Sequence, residues 1–168
     1  MEFQISFIIT RPNLTFFHSF QMNELTAEDL QKLAEFGAKS NSSNIRVNLV
    51  HLLGTIGQSC TKNEQIQIFV ATFLTEAATR DVELRVVSEA LDKIIDMFTE
   101  DETDTLCTQV GLIGKLKKLQ PGFRTKLSLY KQQRKSEGGN YAETIAMANM
   151  VKNNLNRFIK YKEKRCGN

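Results

Sequence analysis

Asn44-Ile45-Arg46-Val47 recurs as Glu83-Leu84-Arg85-Val86, and each copy opens a long segment with apolar residues at helical spacing. The two copies stand 39 residues apart. A self-similar period of about 40 residues built from paired helices is that of an armadillo/HEAT-type α-solenoid. In such an array each hairpin buries one face against its neighbours, so the outer faces are left for partners.

The apolar stripes extend the period beyond the repeated phrase. Ile45, Leu49, Leu52, Leu53 and Ile56 fall at i, i+4, i+7, i+8 and i+11 and share one helix face. Shifting positions 45, 52 and 56 by the same offset gives Leu84, Leu91 and Ile95, again branched aliphatics, within a stripe of Leu84, Val87, Leu91, Ile94, Ile95 and Phe98. Between them, Ile66, Phe69, Val70, Phe73, Leu74 and Ala77 form the buried face of an intervening helix. Thr61-Lys62-Asn63-Glu64 has the capping-box pattern at its start, and Asp81 is placed to cap the helix that follows. Upstream, Thr26 with Glu28 and Asp29 marks a helix start, Leu25, Leu30, Leu33 and Phe36 supply a stripe, and Gly37 suits a C-cap.

A third pair begins after the acidic turn Glu100-Asp101-Glu102. A helix over about 104–119 buries Leu106, Val110, Ile113 and Leu116, and Pro121 is expected to end or kink it. A basic insertion over about 122–139 runs into Ser136-Glu137-Gly138-Gly139, and Asn140 with Glu143 opens a last helix with the stripe Met147, Val151, Leu155, Phe158 and Ile159. The expected organisation is an unassigned apolar lead-in, 1–24, followed by helical repeats over 25–165 in hairpins of about 25–59, 61–98 and 104–163. No polar residues cap the amino-terminal end of this array, as expected of the carboxy-terminal piece of a longer solenoid.

Charge is divided along the chain. Before Lys115 there are 8 Lys+Arg against 16 Asp+Glu, and from Lys115 onward 14 against 3. Blocks of like charge commonly signal a polyanion or an acidic partner; spread along helices, as here, they also suit solvated helix faces. The basic stretch Lys115, Lys117, Lys118, Arg124, Lys126, Lys131, Arg134 and Lys135 can meet RNA phosphates by charge, but Tyr130 is the main interleaved aromatic, so base stacking has little support.

Chemistry is sparse. The three cysteines, Cys60, Cys107 and Cys166, are scattered and lack a CxxC, and His18 and His51 stand apart from any ligand set, so neither a metal site nor a nucleophile with its base is expected. Gly111-Leu112-Ile113-Gly114-Lys115 misses the spacing of a phosphate loop. Asp92 and Asp96 share a helix face but have no pocket. No cofactor and no catalytic residue is expected, and the longest apolar runs are too short to cross a membrane. Arg46 and Arg85, being repeat-periodic, are expected to make repeat-periodic contacts between hairpins. On the last helix Asn149, Lys152, Asn153, Asn156 and Arg157 form a polar face opposite the stripe, and its amides suit the backbone of an extended peptide.

Asn44-Ile45-Arg46-Val47, Glu89-Ala90-Leu91-Asp92 leading to Asp96-Met97-Phe98, Leu116-Lys117-Lys118-Leu119-Gln120-Pro121 and, most specifically, the run from Asn149 to Tyr161 resemble the carboxy-terminal end of the symportin family. The resemblance covers about residues 42–165. It implies an armadillo/HEAT adaptor, working between cytoplasm and nucleus, that escorts the two large-subunit ribosomal proteins of the 5S particle during import. The family's import-receptor signal belongs to amino-terminal parts that this sequence does not contain. The other function in view is a general helical-repeat scaffold, or an RNA-associated protein using the basic end.

Overall fold

A computed structural model of the chain describes residues 26–134 and 141–166. These form seven α-helices and no strand: α1 (Ala27–Ala38), α2 (Ser43–Ser59), α3 (Glu64–Arg80), α4 (Leu84–Met97), α5 (Asp104–Gln109), α6 (Leu112–Arg134) and α7 (Ala142–Cys166), with a 3-10 turn at Asp101–Thr103 before α5. The hairpins are α1 with α2, α3 with α4, and α5/α6 with α7. Their second helices, α2, α4 and α7, pack in succession as one row, and α1, α3 and α6 form the row behind it. This is the two-layer stack expected of the period.

The stripes meet in one continuous core. Leu49, Leu53 and Ile56 of α2, Ile66, Val70 and Leu74 of α3, Leu84, Val87, Leu91 and Ile94 of α4, and Val151, Leu155 and Ile159 of α7 are all buried in it. Each such side chain contributes about 1.5–3 kcal/mol by leaving water. The helix α4 packs against α2, α3 and α7 together, which makes it the keystone of the stack.

Several local expectations change. Thr26 does form a reciprocal capping box with Asp29. The cap of α3, however, is Asn63, whose side chain accepts from the Ile66 amide, two residues beyond the expected Thr61. Asp81 ends α3, and Glu83 stands at the start of α4. Asp81 accepts from the Glu83 amide at 2.9 Å, so it organises the turn between the helices. Gly37 lies within α1, buried against Leu49, where a Cβ would come within 2.7 Å of a Leu49 methyl. Leu25 and Asn140 lie outside the described residues, as does the 1–24 lead-in.

The third hairpin differs most. The helix expected over 104–119 is broken at Gly111, whose φ of 60° takes the backbone out of the right-handed helical region between α5 and α6. From Leu112 the helix continues to Arg134, with Pro121 inside it, so 122–134 is helix and belongs to the hairpin. The reason is a stripe that skips over the proline. Leu112, Leu116, Phe123 and Leu127, at i, i+4, i+11 and i+15, are all buried and share one face. Pro121 is exposed on the opposite side, and the carbonyl it deprives of a partner belongs to Lys117, an exposed residue where water can serve. Tertiary burial outweighs the local penalty.

Candidate functional site

The row of second helices presents a polar stripe that begins with Arg85 and becomes acidic along α4. Arg85 of α4 donates to Asn44 Oδ1 of α2 at 3.1 Å, and one turn on along α4, Glu89 Oε1 stands 2.7 Å from His51 Nδ1 of α2. These pairs are separated by 41 and 38 residues, either side of the repeat offset, so the two copies of the phrase stack in register. The same α4 face continues with Asp92 and Asp96. Lys93 Nζ lies 3.5 Å from Asp96 Oδ2, with its stem laid over Gly54 of α2, where a Cβ would come within 2.6 Å of the Lys93 Cβ.

Asp92 is half-buried, and its carboxyl is held above its usual range, chiefly because burial strips water from the charged form and further because Asp96 and Glu89 add negative charge. Among the described residues it has no ion-pair partner within 4.0 Å. A carboxylate so placed is stabilised by any cation that arrives. The stripe was legible in the sequence only as a solvated i, i+4 pair, because the neighbouring Glu89 and the partial burial come from tertiary packing.

Arg46 ties hairpins together, as its periodicity suggested. It donates through Nε to Asp81 Oδ2 at 2.7 Å, through Nη2 to Asp81 Oδ1 at 3.1 Å and through Nη1 to the Ser40 carbonyl at 2.8 Å. This fork joins the turn before α2 to the turn before α4. From the other side Lys126 of α6 reaches the Asp81 carbonyl, so one short turn is clasped by the hairpins before and after it. Arg85 has no such acid ahead of it and bonds backward to Asn44, so the two arginines share a position and a tying role but not a partner.

The polar face expected on α7 is divided by the packing. Asn149 Oδ1 accepts from Lys131 Nζ at 2.9 Å, and Asn156 Oδ1 accepts from Gln120 and, at 3.0 Å, from Arg124 Nη2, so these two amides belong to the α6–α7 seam. Lys117 and Glu163 pair further along the same antiparallel seam. Asn153 and Arg157 are exposed and Lys152 is half-buried. Asn153, Lys152 and Arg157 are thus open to a partner, whereas Asn149 and Asn156 already serve as acceptors for α6.

The carboxy-terminal turns of α7 close on the acidic turn. Lys162 is fully buried, with Nζ 2.5 Å from Asp104 Oδ1 and 3.0 Å from the Glu100 carbonyl. Arg165 Nε meets Asp104 Oδ2 at 2.7 Å, its Nη2 lies 3.1 Å from Asp101 Oδ2, and Tyr161 donates to Asp101 Oδ1 at 2.7 Å. The hydrogen bonds from Lys162 and Arg165 hold the Asp104 carboxyl below its usual range. Beside this lock, burial and then the neighbouring Cys166 thiol push Cys107 up to about 12, which keeps it a protonated core thiol. Among the described residues no group of His, Cys, Asp and Glu is arranged to hold a metal, and no helix is long and apolar enough to cross a membrane.

An all-α stack of repeated hairpins with charged outer faces defines a helical-repeat scaffold. A profile of the family described as SYO1-like, TPR repeats, matches residues 13–166, and the chain belongs to that family. Over 144 residues it is 36% identical to HEAT repeat-containing protein 3 of Mus musculus and 34% identical to that of Homo sapiens. The aligned region is 83% of this chain and 20% of either relative, so the chain spans about a fifth of their length. No solved structure matches.

Proposed function

We propose that this chain supplies a protein-binding surface of an import adaptor, whose cargo is the pair of large-subunit ribosomal proteins of the 5S particle, moving between cytoplasm and nucleus. The observation that carries the reading is the α4 stripe, where Asp92 sits half-buried between Glu89 and Asp96 with its carboxyl held above the usual range. Ribosomal proteins are basic, and an extended basic segment laid across α2 and α4 brings lysines or arginines to a carboxylate that Lys93 offsets only in part, its ammonium being paired with Asp96. Association then relieves repulsion already present in the free protein, which favours fast and selective encounter. Membership of the SYO1-like family supports the scaffold role, and import-receptor contact is assigned to regions of longer family members that this chain does not span.

The test is capture of the purified 5S-associated ribosomal proteins by the chain and by the variant Glu89→Gln/Asp92→Asn/Asp96→Asn. The variant is expected to retain its helicity and lose capture. Equal capture by a folded variant would remove the stripe from the binding surface.

A further inference from the structure

The α6–α7 hairpin presents a second surface, opposite in sign to α4 and constructed differently. Every acid near Arg46, Lys162 and Arg165 is a carboxylate that cancels its cation. Along the α6–α7 seam two of the acceptors are instead amides, and a carboxylate, Glu163, serves Lys117 at one end. Asn156 fixes Arg124, and Asn149 fixes Lys131, at hydrogen-bond distance but without a negative charge. Beside them the exposed side chains of Arg157, Lys160 and Lys164 follow one another at i, i+3 and i+7 on α7. Among the described residues none of Arg124, Arg157, Lys160 and Lys164 has a carboxylate within 4.0 Å, and Glu163 is engaged by Lys117. The seam thus positions Arg124 through a neutral amide and leaves its charge uncompensated.

We infer that this face binds a single strand of RNA through its phosphodiester backbone, a function separate from protein capture on α4. Arg157 to Lys164 span about 10 Å along the helix axis at 1.5 Å per residue, a distance over which a nucleotide strand carries more than one phosphate. Arg124 adds a cation from the neighbouring helix, and an arginine whose remaining donors are free suits a phosphate's paired oxygens. Asn153, exposed between them, offers an amide donor and acceptor to a sugar hydroxyl. Surfaces that meet nucleic acid are more polar and more positive than those that meet protein, as this one is.

The test uses the full chain and a fluorescent 20-nucleotide RNA, with affinity read by anisotropy between 50 and 200 mM salt. Four phosphate contacts give a slope of log K on log salt of about −2.8, and hence an affinity loss of about 50-fold over that range. Asn156→Asp preserves the acceptor for Arg124 while cancelling its charge, so its unfolding midpoint should be kept and its slope should fall to about −2.1. Arg157→Gln/Lys160→Gln/Lys164→Gln, all exposed, should leave about one contact's slope, and Asp92→Asn/Asp96→Asn should leave RNA affinity undiminished. Absence of binding at 50 mM salt, or an Asn156→Asp variant with the parental slope, overturns the inference. So does competition by polyglutamate equal to that by unlabelled RNA, which would mark the face as a site for an acidic protein.

Discussion

Removing Asp104 should damage this protein far more than removing its partner Lys162. The Lys162 side chain is wholly out of water, and its ammonium is held by Asp104 Oδ1 at 2.5 Å and the Glu100 carbonyl at 3.0 Å. In Asp104→Ala the ammonium stays buried with a single neutral acceptor, and Arg165 loses its shortest contact as well. Breaking a buried pair in this way costs about 3–5 kcal/mol, a large part of the roughly 5–15 kcal/mol that holds a domain together. In Lys162→Met the stem's packing is kept, and Asp104, itself 21% exposed, retains Arg165 and access to water. That change should cost less than about 1.5 kcal/mol, because exchange of a buried charge for an apolar isostere is often near neutral. The double variant should then resemble Lys162→Met, since no stranded charge remains. Urea unfolding of the parent, both single variants and the double variant measures the four stabilities. Equal losses in the two single variants, or a double variant as unstable as Asp104→Ala, would show that the buried ammonium is not the source of the penalty.

Other perturbations follow from the same packing. Gly57→Ala should destabilise by about 1–3 kcal/mol, less a helix-propensity gain, because its Cβ would meet Val70 Cγ1 at 2.8 Å and Met97 Sδ at 3.0 Å in the core. Gly114→Ala and Gly122→Ala, with nothing within 4 Å, should stabilise α6 by about 0.4–1 kcal/mol each, and thermal melts check all three. Pro121→Ala restores an amide in the middle of α6 and should raise stability by up to about 3 kcal/mol; an unchanged or lower melting temperature would mean that the proline shapes the hairpin. Two of the shifted carboxyls, Asp104 and Asp92, predict opposite effects of pH. Asp104, depressed in the folded state, contributes stability that is present above 3.8 and lost as pH falls through its lower folded value. Asp92, raised in the folded state, costs stability as pH climbs from 3.8 through its higher folded value. Asp92→Asn should therefore match the parent near pH 3 and exceed it at pH 7, as denaturant midpoints across that range will show.

Much of this molecule was legible before its structure, and the failures have physical causes. Arg46 and Arg85 announced the register because the contacts they make repeat with the chain, and the stripes of α2, α3, α4 and α7 followed from burial on a single face. Gly111 and Pro121 misled in complementary ways. A glycine amid helix-forming residues gave no sign that it would adopt positive φ, and the proline rule overlooked Phe123 and Leu127, which continue the buried face beyond it. The Asp81 turn was read as a local cap because only the stacked hairpins bring Arg46 and Lys126 to it. The candidate face on α7 was visible as polar positions, but its division into seam residues, Asn149 and Asn156, and open residues, Asn153 and Arg157, depended on α6 remaining helical. The acidic stripe could not be weighed as a site until Glu89, Asp92 and Asp96 were seen together on the outward face of the central helix.

The most direct test of the proposed cargo surface is the titration of the Asp92 side-chain carboxyl, followed by NMR in the free chain and in the presence of an excess of an extended basic segment from a 5S-associated ribosomal protein. A bound cation offsets the repulsion from Asp96 and Glu89, so the account predicts that the Asp92 titration moves to lower pH in the complex, with Glu89 and Asp96 among the most perturbed signals. Binding that leaves the Asp92 titration where it stands in the free protein, with perturbations confined to other helices, would contradict it.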